Sequence, residues 1–351
     1  MLCQIYKPFV SLIVCCFLYP FSFLELHATP TEISEFIWNA GIAFSCDKGT
    51  QAGPKDFFHN ECATQADIKN YQQIRKGDIV WIGSRCLKHF YEKILPQIKE
   101  PFVLVTSGSD RSFPSETGLK QKELNKFLSS DKILHIFAQN CDDMKSHPNI
   151  SPLPIGVDFH SIAYKFPQGC WGETGSPLQQ EARLKTILKN LQPTYMRKKK
   201  AFVDFQHSDN IRYGPNKRYL SLGEDRTSIF KRLLPTGVID HGELMARSNL
   251  WQTKGQYAFS ISPQGNGLDC HRTWEDLILG CIVIVKTSPL DSMYEGLPVV
   301  IVQDWSEITA ENMDLWLTQY ADAFTNPSYR EKLTNRYWMK KIRNAARTPK
   351  L

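Results

Sequence analysis

The sequence predicts an α/β protein in two halves, each a parallel sheet covered by helices. Three observations carry this. From Asp78 onward, short apolar β-prone runs alternate with segments of helical period, the pattern of βαβ units. A Pro-rich stretch, Pro148 to Pro154, and a turn-rich one, Gly169 to Pro177, interrupt the alternation, and a second series of strands and helices follows. The 351 residues, 42% apolar and 22% charged, suffice for two domains of ordinary size.

Residues 1–28 stand apart from the fold. Lys7 precedes the run Phe9 to Leu24, apolar except for Ser11, Pro20 and Ser22, and Leu26-His27-Ala28 offers a small-residue cleavage site. The run is short for a spanning helix of about twenty residues and long for a signal core, so a cleaved signal peptide and an N-terminal membrane anchor both stay open. Either puts the protein outside the cytosol, exported to a secretory lumen or periplasm or held at the membrane through this segment. Of ten cysteines, three (Cys3, Cys15, Cys16) lie in the leader, and the rest form no CxxC pair, which argues against structural zinc. Export permits disulfides among Cys46, Cys62, Cys86, Cys141 and Cys170, whereas Cys270 and Cys281 are expected to pack as small apolar groups. The formal charge of +6 is spread out, and its one run, Arg197 to Lys200, reads as a solvated linker. Nothing points to nucleic acid.

The first half, 29–177, reads as strand Asp78 to Gly83, helix Arg85 to Ile98, strand Pro101 to Ser107, helix Leu119 to Leu128 and strand Lys132 to Asn140, with Pro148 to Pro154 closing it. Helix Leu178 to Leu191 opens the second half, 178–309. Strand Ala201 to Gln206 follows, then helix Arg226 to Leu234, strand Gly237 to Asp240 and helix Glu243 to Ser248. After a last strand, Val299 to Val302, residues 310–351 supply closing helices within Trp305 to Tyr320 and Tyr329 to Arg347.

Between them, residues 257–309 carry the most specific signal. Tyr257 to Ser262 is an uncharged β-prone run, and Gly265-Asn266-Gly267 frees the backbone to turn tightly and present N–H groups to an anion. The following helix, opening at His271-Arg272, points its positive end at that loop. At about 100° per residue, Trp274, Leu277, Ile278 and Cys281 share one face and Arg272, Glu275 and Asp276 the other, so the polar face is expected to look into the crevice. A guanidinium fork can grip two phosphate oxygens, and a carboxylate one turn on can accept from ribose hydroxyls. The pair therefore describes a nucleoside diphosphate site. The competing reading is a surface ion pair three residues apart, worth about a few tenths of a kcal/mol.

The motifs Ser260 to Gly265, Arg272 to Glu275 and Gly280-Cys281-Ile282-Val283-Ile284-Val285 resemble the nucleotide-sugar half of exostosin-like glycosyltransferases, with a close match over about fifty residues. The resemblance implies two Rossmann-like domains facing a cleft, the B-type glycosyltransferase architecture (GT-B), with a closing helix that crosses back onto the first domain. It also implies a nucleotide-diphosphate sugar as co-substrate, a glycan or glycoconjugate acceptor, and no cofactor or metal for the donor diphosphate. The longer, more apolar segment Leu297 to Trp305 departs from exostosins proper and marks a divergent member. Ser262, Gly265, Asn266, Gly267, Asp269, His271, Arg272 and Glu275 are the expected donor-binding set, with Arg218 approaching from the opposite side ahead of His207 and Arg212.

An inverting transfer needs a base for the acceptor hydroxyl. Asp110, on the small-residue loop Ser107 to Arg111, is the first candidate, with Asp158 and His160 behind it. A retaining transferase remains a rival, as does a non-catalytic nucleotide-sugar or glycan-binding protein of the same fold. A DxD-type metal-dependent transferase is disfavoured, because Asp142-Asp143 sits in the wrong half.

Overall fold

Four apolar runs pair side by side as parallel strands in the computed structural model, which describes residues 33–49, 71–143, 147–165, 172–205, 226–243 and 245–347. They are β1 (Ile79–Gly83), β2 (Phe102–Ser107), β3 (Ile133–Gln139) and β4 (Ile150–Leu153), in that order across the sheet. Unbroken Val, Ile, Leu and Phe suit strands covered on both faces, and β2 is buried along its whole length. The Pro-rich stretch that closes this half in sequence is itself the strand β4. It lies at the sheet edge, where Pro152 has a neighbour on one side only and its missing N–H removes no ladder bond. The helix expected from Arg85 to Ile98 is a chain of short turns, from Ser84–Cys86 to Leu95–Gln97, the last containing Pro96. Near the chain's start lies α1 (Asn39–Phe44), and α2 (Gln121–Leu128) joins β2 to β3.

A helix capped by Ser176, α3 (Pro177–Leu188), leads to the second sheet. Its strands are β5 (Lys198–Val203), β6 (Ile239–His241), β7 (Tyr257–Ile261), β8 (Ile282–Lys286) and β9 (Val299–Val302), all parallel, in the order β6-β5-β7-β8-β9. Helices α4 (Arg226–Leu233), α5 (Arg247–Lys254) and α6 (His271–Ile278) connect them. The helix read from Glu243 to Ser248 thus begins later and runs to the stop at Gly255. The chain is two Rossmann-like α/β domains, and loops leaving the carboxyl ends of both sheets touch, with Asn140 after β3 against Gly267 after β7.

Of the closing helices, α7 (Ala310–Gln319) stays on the second sheet, with Met313 and Leu317 buried beside Val302. After the short α8 (Pro327–Glu331), α9 (Asn335–Ala345) lies against the first domain, burying Trp338 and Ile342 in the core that also holds Ile79. That core is continuous between domains, with the Trp274 and Trp338 rings edge to face at 6.3 Å. Gly156 (φ +69°) passes so close to the entering chain that a Cβ there would lie 2.2 Å from the Ile37 carbonyl oxygen. Among the described residues no helix is long and apolar enough to cross a membrane. The leader, 1–28, lies outside those residues. Cys86 is disulfide-bonded, whereas Cys46 and Cys141, both disulfide candidates in sequence, are free thiols like Cys270 and Cys281. Cys141 is fully buried, and burial pushes its thiol up to about 12.

Asn335 fastens the crossing. Its Nδ2 donates to the Ser34 and Phe36 carbonyls at 2.6 and 2.9 Å, and its Oδ1 accepts from the Trp38 amide at 3.3 Å. Asn335→Ala strands these buried main-chain groups and is expected to cost about 2 to 4 kcal/mol in denaturant unfolding. A loss below about 0.5 kcal/mol, the range of ordinary surface substitutions, would show that apolar packing alone seats α9.

Candidate functional site

Chain order reverses between β5 and β7, because β5 is followed outward by β6 and β7 by β8. Ligands of open parallel sheets bind at such a switch point, beyond the strands' carboxyl ends. Here the ends are Asp204-Phe205 after β5 and the loop from Ser262 to Cys270 after β7. Arg272, in the first turn of α6, reaches between them. Its Nε donates to Asp204 Oδ1, and its guanidinium carbon lies 5.6 Å from the centre of the Phe205 ring. Its Nη1 is buried and has no hydrogen-bond partner among the described residues.

Behind Arg272 runs a chain of alternating charge. Lys254, 1% exposed, places Nζ 2.8 Å from Asp204 Oδ2 and 2.6 Å from Asp276 Oδ1, and Ser260 donates to the other Asp276 oxygen. Burial is the largest influence on both carboxyls. It pushes Asp276 up to about 6, against the pull of Lys254. At Asp204 it is outweighed by Arg272 and Lys254, which hold the carboxyl below the usual range. Breaking a buried pair of this kind costs about 3 to 5 kcal/mol, so the chain fixes Arg272 in place.

The polar face of α6 does not open onto solvent. Residues Thr273 to Ile278 are all buried, because α5 and the loop after β4 cover that face. Glu275 Oε1 accepts from Arg247 Nη1 and from the Asp158 amide, each at 3.2 Å, and Oε2 accepts from Trp251 Nε1 at 3.0 Å. It thereby ties the helix to the first domain, which corrects its placement in the open crevice. The glycines also act otherwise than expected. Neither Gly265 nor Gly267 takes a positive φ, and the Gly265 amide donates to the Gly267 carbonyl at 3.2 Å. Their smallness permits close approach: a Cβ on Gly267 would lie 2.7 Å from Asn140 Nδ2, and one on Gly265 would lie 3.0 Å from Arg226 Nη2. Arg226 holds this loop by donating to the Gln264 and Pro263 carbonyls at 2.9 and 3.3 Å. Ser262 pairs with Thr273 at 2.8 Å, and Asn266 is exposed.

Asp269 is a tie between domains. Its Oδ2 accepts from the Ile155 amide at 2.8 Å and Trp274 Nε1 at 2.9 Å, its Oδ1 accepts from the Cys270 amide at 2.9 Å, and its own amide donates to Asn140 Oδ1. With its oxygens so engaged it faces the first domain and not a donor. Asp110 is exposed. Its neighbour Ser109 accepts through its carbonyl from Gln139 Nε2 and Asn140 Nδ2, which links that loop through Asn140 to the loop after β7. Arg218, His207 and Arg212 lie outside the described residues.

Asp158 and His160 meet His271 across the domain boundary. His160 Nδ1 is 3.0 Å from Asp158 Oδ1, and Arg247 Nη2 is 3.1 Å from Asp158 Oδ2. The His160 and His271 rings lie 5.1 Å apart, and His271 Nδ1 donates to the Gly156 carbonyl at 2.6 Å. Burial works to raise the Asp158 carboxyl, but His160, His271 and Arg247 outweigh it and hold it well below the usual range. Asp204, Arg247 and Lys254 are site residues that the sequence reading missed. One signal was present: Arg247, Trp251 and Lys254 recur at i, i+4 and i+7, the spacing of a buried helix face, and all three are buried.

No protein-family model matches this chain, and no curated protein matches it. Solved structures do overlap with it. An alpha1,3-fucosyltransferase, 13% identical, matches with TM-score 0.38 over 78% of this chain and 79% of its own. TarM, 11% identical, matches with TM-score 0.39 over 81% of this chain and 58% of its own. Trehalose-6-phosphate from E. coli bound with UDP-2-fluoro glucose, 11% identical, matches with TM-score 0.37 over 87% of this chain and 82% of its own. These overlaps concern the course of the chain and carry nothing about reaction or substrate.

Burial pushes the Asp269 carboxyl up to about 6, against the amide and indole donors around it. A carboxyl raised on folding contributes stability that is complete below its unfolded value near 4 and is lost as pH rises through 6. Asp269→Asn has no proton to lose. The stability of the variant relative to the parent should therefore rise by about 2 to 3 kcal/mol between pH 4 and pH 7, read from denaturation at each pH. A difference independent of pH would mean that the Asp269 carboxyl titrates alike in the folded and the unfolded chain.

Proposed function

We propose that the protein is a glycosyltransferase that moves a sugar from a nucleotide-diphosphate donor to a hydroxyl of a glycan acceptor, with inversion and without a metal on the donor diphosphate. The observation that carries this is the buried Nη1 of Arg272, without a hydrogen-bond partner among the described residues, at the switch point of the second sheet. A guanidinium held by Asp204 through Nε keeps Nη1 for an anion, and a fixed positive charge there stabilises the diphosphate as it leaves. The exostosin-like motifs around it support the same reading. The leader supports an exported or membrane-anchored enzyme.

In the transfer, the bond from the anomeric carbon to the diphosphate oxygen breaks as the bond to the acceptor oxygen forms, and the acceptor's proton passes to a base. The geometry favours His160 over Asp110 for that base. His160 packs at a tilt against His271, the residue before Arg272, whereas Asp110 is exposed on a loop tied to the donor side through Asn140. Asp158 beside Nδ1 favours the proton there, which leaves Nε2 as the acceptor. Asp158 itself, paired with Arg247, is a weak base. Glu275 becomes a positioning residue between the donor helix and the first domain.

Arg272→Lys keeps the charge and a partner for Asp204 but loses the fork, so calorimetry should find donor affinity lower by about 1 to 3 kcal/mol. An unchanged Kd would remove Arg272 from the donor site. His160→Gln should lower turnover by roughly 10² to 10⁴ with donor binding nearly kept, while Asp110→Asn stays near the parent rate. The reverse pattern would return the base to Asp110.

A further inference from the structure

Asp158, His160 and His271 each turn one ligand-type atom toward the others, and these atoms all lie within 4.8 Å of one another. Two imidazoles and one carboxylate form a donor set that suits zinc, cobalt or nickel, whereas magnesium and calcium prefer oxygen alone. We propose that these three side chains form a site for a divalent transition-metal ion of the zinc class, and that its occupation withdraws His160 from proton transfer. The second half of this statement rests on the reading of His160 as base.

The surroundings are those of a prepared ligand set. His271 Nδ1 donates to the Gly156 carbonyl at 2.6 Å, which fixes the ring and leaves Nε2 as its ligand atom, the usual outer contact of a metal-bound histidine. Arg247 anchors the second oxygen of Asp158 at 3.1 Å, and its charge is balanced by Glu275 at 3.2 Å, so the cluster keeps one net negative charge for a cation. The 3.0 Å between His160 Nδ1 and Asp158 Oδ1 is close to the roughly 3.3 Å that separates two ligands of a tetrahedral ion with bonds of about 2.0 Å. The fourth position would take water. When the ion binds Nδ1 of His160, the proton there moves to Nε2 and no net proton is released. The nitrogen that would accept the acceptor's proton is then a donor. The site spans the domains, with Asp158 and His160 from the loop after β4 and His271 from α6, so an ion would also join the two halves. Sequence spacing could not show it, because His271 is more than a hundred residues from the other two.

The test uses the full chain stripped with a chelator and then given Zn²⁺ alone, with no sugar donor present. Calorimetry should find one tight Zn²⁺ per chain, with affinity at least tenfold lower in His271→Gln and in Asp158→Asn. Independently of how those variants fold, Co²⁺ added to the unaltered chain should develop the intense visible absorption of a four-coordinate ion. No stoichiometric Zn²⁺ uptake, or uptake undiminished in both variants, or only the weak spectrum of six-coordinate aqueous Co²⁺, overturns the site. If transfer activity is present, Zn²⁺ should suppress it and chelator should restore it, and activity unaffected at saturating Zn²⁺ overturns the link to His160. Binding is read without turnover, so a protein that binds Zn²⁺ and transfers no sugar upholds the site and fails only the transferase reading.

Discussion

Two guanidinium groups, Arg247 buried and Arg272 largely so, set the terms for the middle of this molecule. A cation removed from water must meet a carboxylate with good geometry or it destabilises the fold by several kcal/mol. Arg272 meets Asp204, and Arg247 meets both Asp158 and Glu275. Satisfying them forces α5 against α6 and brings the loop after β4 onto the same helix. The close packing of Gly267 on Asn140 follows from having the two domains that near.

This constraint separates what could be read in the sequence from what could not. Continuous apolar runs such as Phe102 to Ser107 were legible as strands, since a strand covered on both faces needs little else. The strand β4 was not, because prolines argue against strands unless the edge position is known. Arg272 was legible as a polar residue at the start of a helix after a glycine loop. The enclosure of that helix was not: a wheel places Glu275 and Asp276 away from the sheet but cannot tell whether water or a second domain waits there. The same ignorance hid Asp204, which reads as one polar position in a β-prone run until Arg272 and Lys254 arrive from residues far along the chain.

The two ionic networks divide the site by domain. The chain Arg272, Asp204, Lys254 and Asp276 belongs wholly to the second domain, so the Arg272 guanidinium is oriented without help from the first. The cluster of Asp158, His160, Arg247, His271 and Glu275 exists only where the domains touch. On the proposed mechanism, donor capture is then a property of one domain and acceptor activation a property of the docked pair. Such a division has a chemical advantage. A base assembled beside a bound diphosphate sugar by one domain alone would be open to water, whereas a base completed at the interface is formed where the facing domain also excludes solvent. The crossing of α9 and the Asp269 tie both hold the second domain to the first, and they meet where Trp274, bonded to Asp269, packs on Trp338 of α9.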